Sequence, residues 1–296
     1  MRDDAVAPVI AIMLILAVIV TFYSVWNAVV IPSMKQSSEV EHLQSVESSF
    51  QHFSSDIDRA VSLKQDHLVF SEPVQLGGGD VVVDPLRSSG SLYVQNELNP
   101  VYTLKINSED GIATATGNLT NIFYEPLNNY WQNQGYRWQY GYINVSKDQR
   151  QTPLNYYNMS AIENEFAGSG PLQAFADSFG TANYETASGT CSGINLTAVT
   201  LTASPDHHFV SSNGFGVLKM NSSIKITTYS KVSSLEIDPD QEPFGNETAK
   251  NWLNGITTAC SNVHSDSSSG IYTIDNPNTT PVSVTLDTIT IEVSAY

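Results

Sequence analysis

The segment Val6–Ile31, with the sequence VAPVIAIMLILAVIVTFYSVWNAVVI, decides how this 296-residue chain is organised. Of its 26 residues, 22 are apolar and none is charged. A helix of this length rises about 39 Å, which is more than the roughly 30 Å hydrocarbon core of a bilayer. The buried helix of a soluble protein and the secretory signal peptide usually have shorter apolar runs. The sequence therefore predicts a membrane helix over residues 5–32.

The rest of the chain is polar and acidic. The chain has 13 basic and 30 acidic residues, a formal charge of −17, and 12 of the basic and 28 of the acidic residues follow Ile31. No basic patch is present that could release counterions from a nucleic acid, so such a partner is not expected. More than 260 residues of low lysine content, with several glycosylation sequons, follow the helix. We therefore expect a cell-surface protein with its amino terminus inside and the bulk of the chain outside.

The segment Arg2–Ile10, RDDAVAPVI, and the apolar run after it resemble the amino terminus of archaeal type IV pilins and pilin-like surface proteins. In that family a prepilin peptidase removes a short charged leader just before the hydrophobic helix. The resemblance implies that residues 1–4 are a leader containing Arg2, Asp3 and Asp4, with cleavage near Asp3 or Asp4. It also implies that the helix either anchors the chain among membrane lipids or packs with copies of itself in a filament core.

Two inner stretches also resemble large archaeal pilin-like surface proteins. One runs from the glycine cluster Leu76–Asp80 through Ser88–Gly90, and the other is the aromatic segment Tyr130–Tyr142. The glycine cluster is followed by valines instead of Lys-Ser/Thr at a helix start, so we interpret it as a turn and not as a phosphate-binding loop. The family's outer domain implies no catalytic activity and no cofactor for this chain.

A helical stalk is predicted over residues 33–66, after a kink or short break at Pro32 and Ser33. Its apolar residues recur at intervals of three and four, as they do on one face of a helix. This stripe consists of Val40, Leu43, Val46, Phe50, Phe53, Ile57 and Val61. The stripe either packs on the chain's own outer domain, as in pilins, or forms a coiled-coil stem with neighbours. Its short extent favours packing on its own domain.

Residues 67–296 show short alternating runs bounded by Gly, Pro, Asn and Ser, which is typical of a sandwich or barrel. We predict an α+β fold in which the long helix precedes a large antiparallel, β-sandwich-like outer domain. The predicted strands include Val81–Val83 and a C-terminal strand with a β-bulge near Asp287 and Thr288, where the alternation changes phase. Two lobes joined near residues 168–192 are an alternative arrangement. The predicted short helices are Ser160–Phe179 and Asn246–Cys260.

Cys191 and Cys260 are the only cysteines, and both fall in the predicted outer domain. Outside the cell, two such cysteines are expected to pair, with two free buried thiols as the alternative. A bridge would close a loop of about 70 residues and stabilise the fold by roughly 4 kcal/mol in the chain-entropy model. We therefore predict a Cys191–Cys260 disulfide.

Seven Asn-x-Ser/Thr sequons make the outer domain a candidate glycoprotein. Their asparagines are Asn118, Asn144, Asn158, Asn195, Asn221, Asn246 and Asn278. Because the chain is rich in Asn, Ser and Thr, many sequons arise by chance. No individual site is singled out by the sequence.

The aromatic segment Tyr130–Tyr142 includes a predicted hairpin turn at Asn133–Gly135. One interpretation is a contact surface for sugars or other subunits, since rigid aromatic side chains lose little entropy on binding. The candidate residues of that surface are Trp131, Tyr136, Trp138 and Tyr140. The other interpretation, which we favour, is core packing and cross-strand pairing.

These features predict a structural, type IV pilin-like subunit of the cell surface, anchored or assembled into filaments through its amino-terminal helix. The alternative is a membrane-anchored binding module that holds glycans or another surface protein and does not polymerise. No spacing of His, Cys, Asp, Glu and Ser indicates a metal site or a catalytic set, so an enzyme is not predicted. A tethered hydrolase is a residual alternative.

Overall fold

The computed structural model describes residues 6–81, 84–98, 100, 102–127, 132–139, 142–147, 150–153, 180–187, 189–238, 256–266, 271–274 and 281–296. One long amino-terminal helix leads into a domain built mostly of strands, which confirms the predicted α+β class with β-sandwich-like sheets. The predicted helix Ser160–Phe179 lies outside the described residues. Of the predicted helix Asn246–Cys260, residues 256–259 are described and are helical.

The amino-terminal helix continues without a break to Leu63. It consists of α1 (Val6–Val25), a π-helical turn (Trp26–Val30) and α2 (Ile31–Leu63). Of the kink or short break predicted at Pro32 and Ser33, the break is therefore wrong. Proline lacks an N–H and its ring crowds the carbonyl of the preceding turn. The π-helical turn directly before Pro32 widens the backbone ladder there, which accommodates the proline inside a continuous helix.

The described strands number fifteen in chain order. They are β1 (Val69–Gln75), β2 (Ser89–Asn96), β3 (Tyr102–Ser108), β4 (Gly111–Gly117), β5 (Thr120–Leu127), β6 (Gln134–Gln139), β7 (Tyr142–Lys147), β8 (Arg150–Pro153), β9 (Gly180–Ala187), β10 (Thr190–Ser212), β11 (Phe215–Tyr229), β12 (Ser234–Asp238), β13 (Val263–Asp266), β14 (Ile271–Ile274) and β15 (Ser283–Ala295). Gln134 and Gly135 belong to β6, so the hairpin turn predicted at Asn133–Gly135 is wrong.

The strands form two sheets. The larger sheet has the order β1-β11-β15-β10-β2-β5-β6-β7-β8, with β9 also paired to β10, and the smaller has the order β13-β14-β12-β3-β4. The 23-residue strand β10 links two parts of the larger sheet, because it pairs with β15 and β9 early and with β2 late. Strands before residue 168 pair with strands after residue 192 in both sheets. The described strands on either side of the predicted join thus share the same sheets.

The pair β10–β15, in the middle of the larger sheet, is parallel, from Gly193 opposite Ser283 to Ala203 opposite Val293. The other described strand pairs are antiparallel, as predicted. A parallel pair requires a long crossover between its strands, and the smaller sheet's β12–β14 lie in the chain between β10 and β15.

The bulge predicted near Asp287 and Thr288 is wrong, because β15 pairs with β11 in one unbroken register from Val284 to Ala295. The change of phase has another cause. Val284 and Leu286 are buried on one face of the sheet, whereas Ile289, Ile291 and Val293 are buried on the other. The first half of the strand is covered on one face and the second half on the other. The buried apolar residues therefore change from even-numbered to odd-numbered positions without an inserted residue.

Contacts of the neighbouring strands identify what covers each face. On the face of Ile289 and Val293, α2 covers the sheet: the Arg59 guanidinium lies 5.8 Å from the centre of the Phe70 ring, and Lys64 Nζ donates a hydrogen bond to Thr197 Oγ1 at 2.7 Å. On the opposite face, the smaller sheet approaches β10 just after β4, where the backbone N–H of Asn118 donates to Thr200 Oγ1 at 3.0 Å. The larger sheet is therefore the middle layer of the fold.

The predicted Cys191–Cys260 disulfide is confirmed. It links the start of β10 to the residue after the helical turn 256–259, with the two Cα atoms 5.1 Å apart. The amide of Asn262 reinforces the link, because its Nδ2 donates to the Cys191 carbonyl at 3.1 Å and its Oδ1 accepts from the Cys191 N–H at 2.9 Å. Both cysteines are buried.

Replacing both cysteines, Cys191→Ala with Cys260→Ala, is expected to lower the melting temperature of the full-length protein by roughly 10 °C. The two cysteines are 69 residues apart in sequence. Without the bridge the unfolded chain gains conformational entropy, which stabilises the unfolded state by about 4 kcal/mol. Circular dichroism in detergent checks the shift, and mass spectrometry of the parent protein should show a gain of two hydrogens on reduction. An unchanged melting temperature would contradict a stabilising bridge.

Candidate functional site: the apolar helix and its junction with the β domain

The amino-terminal half of the long helix has no partner among the described residues of the β domain. All described side chains from Val9 to Val29 are exposed, and they include the large apolar residues of α1. Two of its polar side chains form hydrogen bonds within the helix: Thr21 Oγ1 donates to the Ala17 carbonyl and Asn27 Nδ2 to the Tyr23 carbonyl, both at 2.9 Å. The helix is long and apolar enough to cross a membrane.

The apolar surface of α1 surrounds the whole helix and does not form a stripe. Val18, Ile19 and Val20, which point in three different directions around the axis, are each more than half exposed. A helix that packs against one partner carries a narrow apolar seam, whereas an all-round apolar helix needs an apolar environment on every side. Membrane lipid and a bundle of several helices both provide such an environment.

The other half of the helix packs on the β domain. The predicted stripe is buried from Leu43 to Val61, and α2 contacts β1, β6, β7 and β11 of the larger sheet. Phe50 lies with its ring centre 6.4 Å from that of Tyr136 on β6. The stripe therefore packs on its own domain, and only Val40 at its start is 41% exposed.

Between these halves lies a polar junction, which we define as Lys35, Glu39 and His42 of α2 together with the loop Leu76–Ser88. The three helix side chains are at least 94% buried although all are polar. They follow one another at intervals of four and three, so they lie on one face of the helix, in line with the apolar stripe. Buried polar groups require partners, which the loop supplies for Lys35 and the end of β1 supplies for His42.

Two contacts attach the loop to the helix, and a third attaches the last residue of β1, Gln75. Lys35 Nζ lies 2.6 Å from Asp84 Oδ2, and Ser38 Oγ donates to the Asp80 carbonyl at 3.3 Å. His42 Nε2 donates to the carbonyl of Gln75 at 2.8 Å, which assigns the proton to that ring nitrogen because a carbonyl can only accept. The junction thus spans about two turns of the helix directly after the apolar run.

Glycine allows the loop to approach the helix this closely. A Cβ on Gly78 would lie 2.5 Å from His42 Cγ, so any other residue there would push the loop away. Gly79 has a φ of 78°, which favours glycine, and faces the Glu39 side chain. The backbone N–H of Gly78 donates to Ser88 Oγ at 3.0 Å, which closes the loop on itself. The glycine cluster is a helix-contact loop and not a strand-to-helix phosphate site.

Of the strand predicted at Val81–Val83, only Val81 is described, and Val82 and Val83 lie outside the described residues. Val81 forms only an isolated bridge with Asp84, and each residue's N–H donates to the other's carbonyl, at 3.1 and 2.9 Å. This reversal of the chain brings the Asp84 carboxylate back toward the helix. Asp84 is also the residue whose carboxylate pairs with Lys35.

The electrostatics of the junction depend on burial and on one ion pair. Hydrogen bonding from Lys35, together with the Leu86 N–H, lowers the pKa of Asp84. Burial lowers the pKa of His42, opposed by its hydrogen bond to the Gln75 carbonyl and by the charge of Glu39. The junction is therefore arranged for a neutral His42 and an ionised Asp84.

Two of the four residues of the candidate aromatic contact surface do not lie on the surface of the protein. Tyr136 and Trp138 are buried in the core, on the face of β6 that α2 covers, and burial raises the pKa of Tyr136 to about 12. They are core residues, because side chains alternate along β6 and these two point inward. Trp131 and Tyr140 lie outside the described residues.

The structure places four of the seven sequons. Asn195 and Asn221 are exposed on β10 and β11, whereas Asn118 and Asn144 are half-buried. The remaining sequons lie outside the described residues, at Asn158, Asn246 and Asn278. The candidate leader residues Arg2, Asp3 and Asp4 also lie outside them.

Sequence reasoning did not single out Lys35, Glu39 and His42. The available signal was their spacing, which extends the apolar stripe toward α1 with polar residues. Within the described ranges, no group of three His, Cys, Asp or Glu side chains is arranged to hold a metal ion. Comparison of the chain with models of known families, with curated proteins and with solved structures finds no match.

The free energy of unfolding is expected to fall as the pH drops below about 6.5, because the unfolded histidine takes up a proton more readily than buried His42 does. His42→Gln, whose amide can still donate to the Gln75 carbonyl, should weaken this dependence. Chemical denaturation between pH 5 and 8 measures it. Identical pH profiles for His42→Gln and the parent protein would contradict the assignment.

Proposed function

We propose that this chain is a structural subunit of the cell surface, similar to type IV pilins. Its amino-terminal helix is held in a membrane or in the core of a filament, and its β domain faces the medium. The single observation that carries the proposal is the all-round exposure of the apolar residues from Val9 to Val29. Its partners are membrane lipid and copies of the same chain.

The energetics of α1 support this role. Moving one large apolar side chain out of water contributes roughly 1.5–3 kcal/mol, and α1 exposes such side chains along its whole length. Nothing in the described β domain covers them. A stable state of this chain therefore requires an apolar environment supplied from outside, and lipid or neighbouring helices supply it.

The connection between helix and domain also supports a mechanical role. The helix runs from α1 into α2 without a flexible linker, and the junction attaches it to the domain immediately after the apolar run. A force applied to the β domain is thus transmitted to the embedded helix. A tethered domain that only needed to stay near the membrane would not require such a continuous attachment.

The leader sequence supports processing of the chain. Arg2, Asp3 and Asp4 precede the helix as they do in the family that the amino terminus resembles. We propose that a prepilin peptidase cuts near Asp3 or Asp4, which frees the helix to pass from the lipid into a filament. In both environments the helix keeps apolar neighbours, so the transfer exposes little apolar surface to water.

The proposal is tested by determining the mature amino terminus of the full-length chain. Coexpression with a prepilin peptidase should give an amino terminus near Asp3 or Asp4, and an inactive peptidase should leave Met1 in place. Electron microscopy of sheared surface material should show filaments that contain the chain. An intact Met1 and recovery only from detergent-extracted membranes would contradict filament assembly.

A matched pair of variants tests the apolar helix itself. Ile15→Asp places a charge in the middle of the apolar run, at a cost of about 2.5–3.5 kcal/mol for membrane insertion. It should move the protein out of the membrane and filament fractions. Gln44→Asp, exposed on α2 beside the β domain, should not. Recovery of the parent protein in the soluble fraction without detergent would contradict the proposed role of the helix.

A further inference from the structure

The outer face of the larger sheet carries a polar pocket of about 380 Å³, a volume within the range of small-molecule sites. It lies across β2, β5 and β6, on the side away from α2. Its principal side chains are Gln95, Glu97, Asn121, Phe123, Arg137 and Gln139. None of them belongs to the apolar helix or to the junction.

Strand register explains why these side chains meet. Gln95 lies opposite Asn121 and Tyr93 opposite Phe123, while Phe123 lies opposite Arg137 on the next strand. Successive residues of a strand point to opposite faces, so the buried neighbours Val94, Ile122 and Trp138 point to the core. The amide and aromatic side chains therefore form two rows on the outer face.

The amide row is held in place by a shared acceptor. Glu97 Oε1 accepts hydrogen bonds from Asn121 Nδ2 at 2.9 Å and from Gln139 Nε2 at 3.0 Å. Asn121 is 93% buried, and its Oδ1 has no hydrogen-bond partner among the described residues. Fixing these side chains in advance reduces the entropy that a ligand must overcome on binding.

The second row forms a rigid wall. The rings of Tyr93 and Phe123 stack with their centres 4.6 Å apart, and the Arg137 guanidinium lies 5.1 Å from the Phe123 centre on the adjacent strand. Tyr93 Oη donates to Glu125 Oε1 at 2.7 Å, which fixes the end of the stack. Phe123 and Arg137 thus present an apolar edge and cationic donors to the same pocket.

We propose that this pocket binds a neutral saccharide. Carboxamides offer a donor and an acceptor side by side, which matches the adjacent hydroxyl groups of a sugar ring. The pocket holds one arginine and one glutamate, so it lacks the excess positive charge that a phosphate or carboxylate ligand needs. The single carboxylate also provides too few oxygen ligands to hold a divalent cation. This inference does not depend on whether the chain forms filaments.

The test uses the full-length chain produced in a host that lacks N-glycosylation, so that no glycan is attached to Asn144 beside Arg137. A detergent without a sugar headgroup keeps the pocket free of competing glycoside. The probes are an array of neutral hexoses, N-acetylhexosamines and their disaccharides, with sialylated and sulfated sugars for comparison. Isothermal titration calorimetry then measures the dissociation constant of the best neutral sugar.

Gln95→Ala and Gln139→Ala should each raise that dissociation constant about fivefold to tenfold, because each variant loses one hydrogen bond to the sugar. Gln44→Ala, an amide on the exposed side of α2, should leave it unchanged. Gln95 is exposed, so its replacement does not endanger folding, and the melting temperature verifies this. Absence of neutral sugar binding, preference for anionic sugars, or equal affinity of the Gln95, Gln139 and Gln44 variants would overturn the proposal.

Discussion

The burial of the α2 stripe on the inner face of the larger sheet is the interaction on which the rest of the structure depends. Phe50, Phe53 and Ile57 are at most 1% exposed, and they join the helix to the same core that holds the strands β1, β11 and β15. This packing fixes one half of a continuous helix inside the domain. The other half therefore projects as an unpartnered apolar rod. The exposed residues from Val9 to Val29 are a consequence of where the stripe stops.

The junction marks the boundary between the two environments of the helix. The first charged side chain after the apolar run, Lys35, is paired with Asp84, and His42 and the glycine loop follow within two turns. Polar groups at this boundary are buried against protein, where their partners are fixed, and they do not need to enter lipid. The same arrangement holds the loop at the end of the domain from which the apolar half of the helix projects. The apolar helix, the junction and the β domain are thus joined without a flexible connection.

Features that depend on local pattern could be predicted from the sequence, and features that depend on packing between layers could not. The stripe and the Cys191–Cys260 bridge were predictable because helical spacing and a single cysteine pair leave few alternatives. The phase change in β15 was not, since one strand is covered on opposite faces by the helix and the smaller sheet. At Pro32 a π-helical turn keeps the helix continuous where the local preference of proline predicts a break. Tyr136 and Trp138 point into the core, whereas Phe123 and Arg137 point outward. The register of neighbouring strands decides these directions, and composition does not show it.

The most direct test of this account is the free energy of unfolding of the full-length protein with Phe53→Ala, compared with Val40→Ala. Both residues belong to the stripe that the sequence defines, but Phe53 is 1% exposed and Val40 is 41% exposed. The account predicts a loss of about 3–5 kcal/mol for Phe53→Ala. For Val40→Ala it predicts a change within about 0.5 kcal/mol. Equal and small losses for both variants would contradict the packing of the helix on the domain.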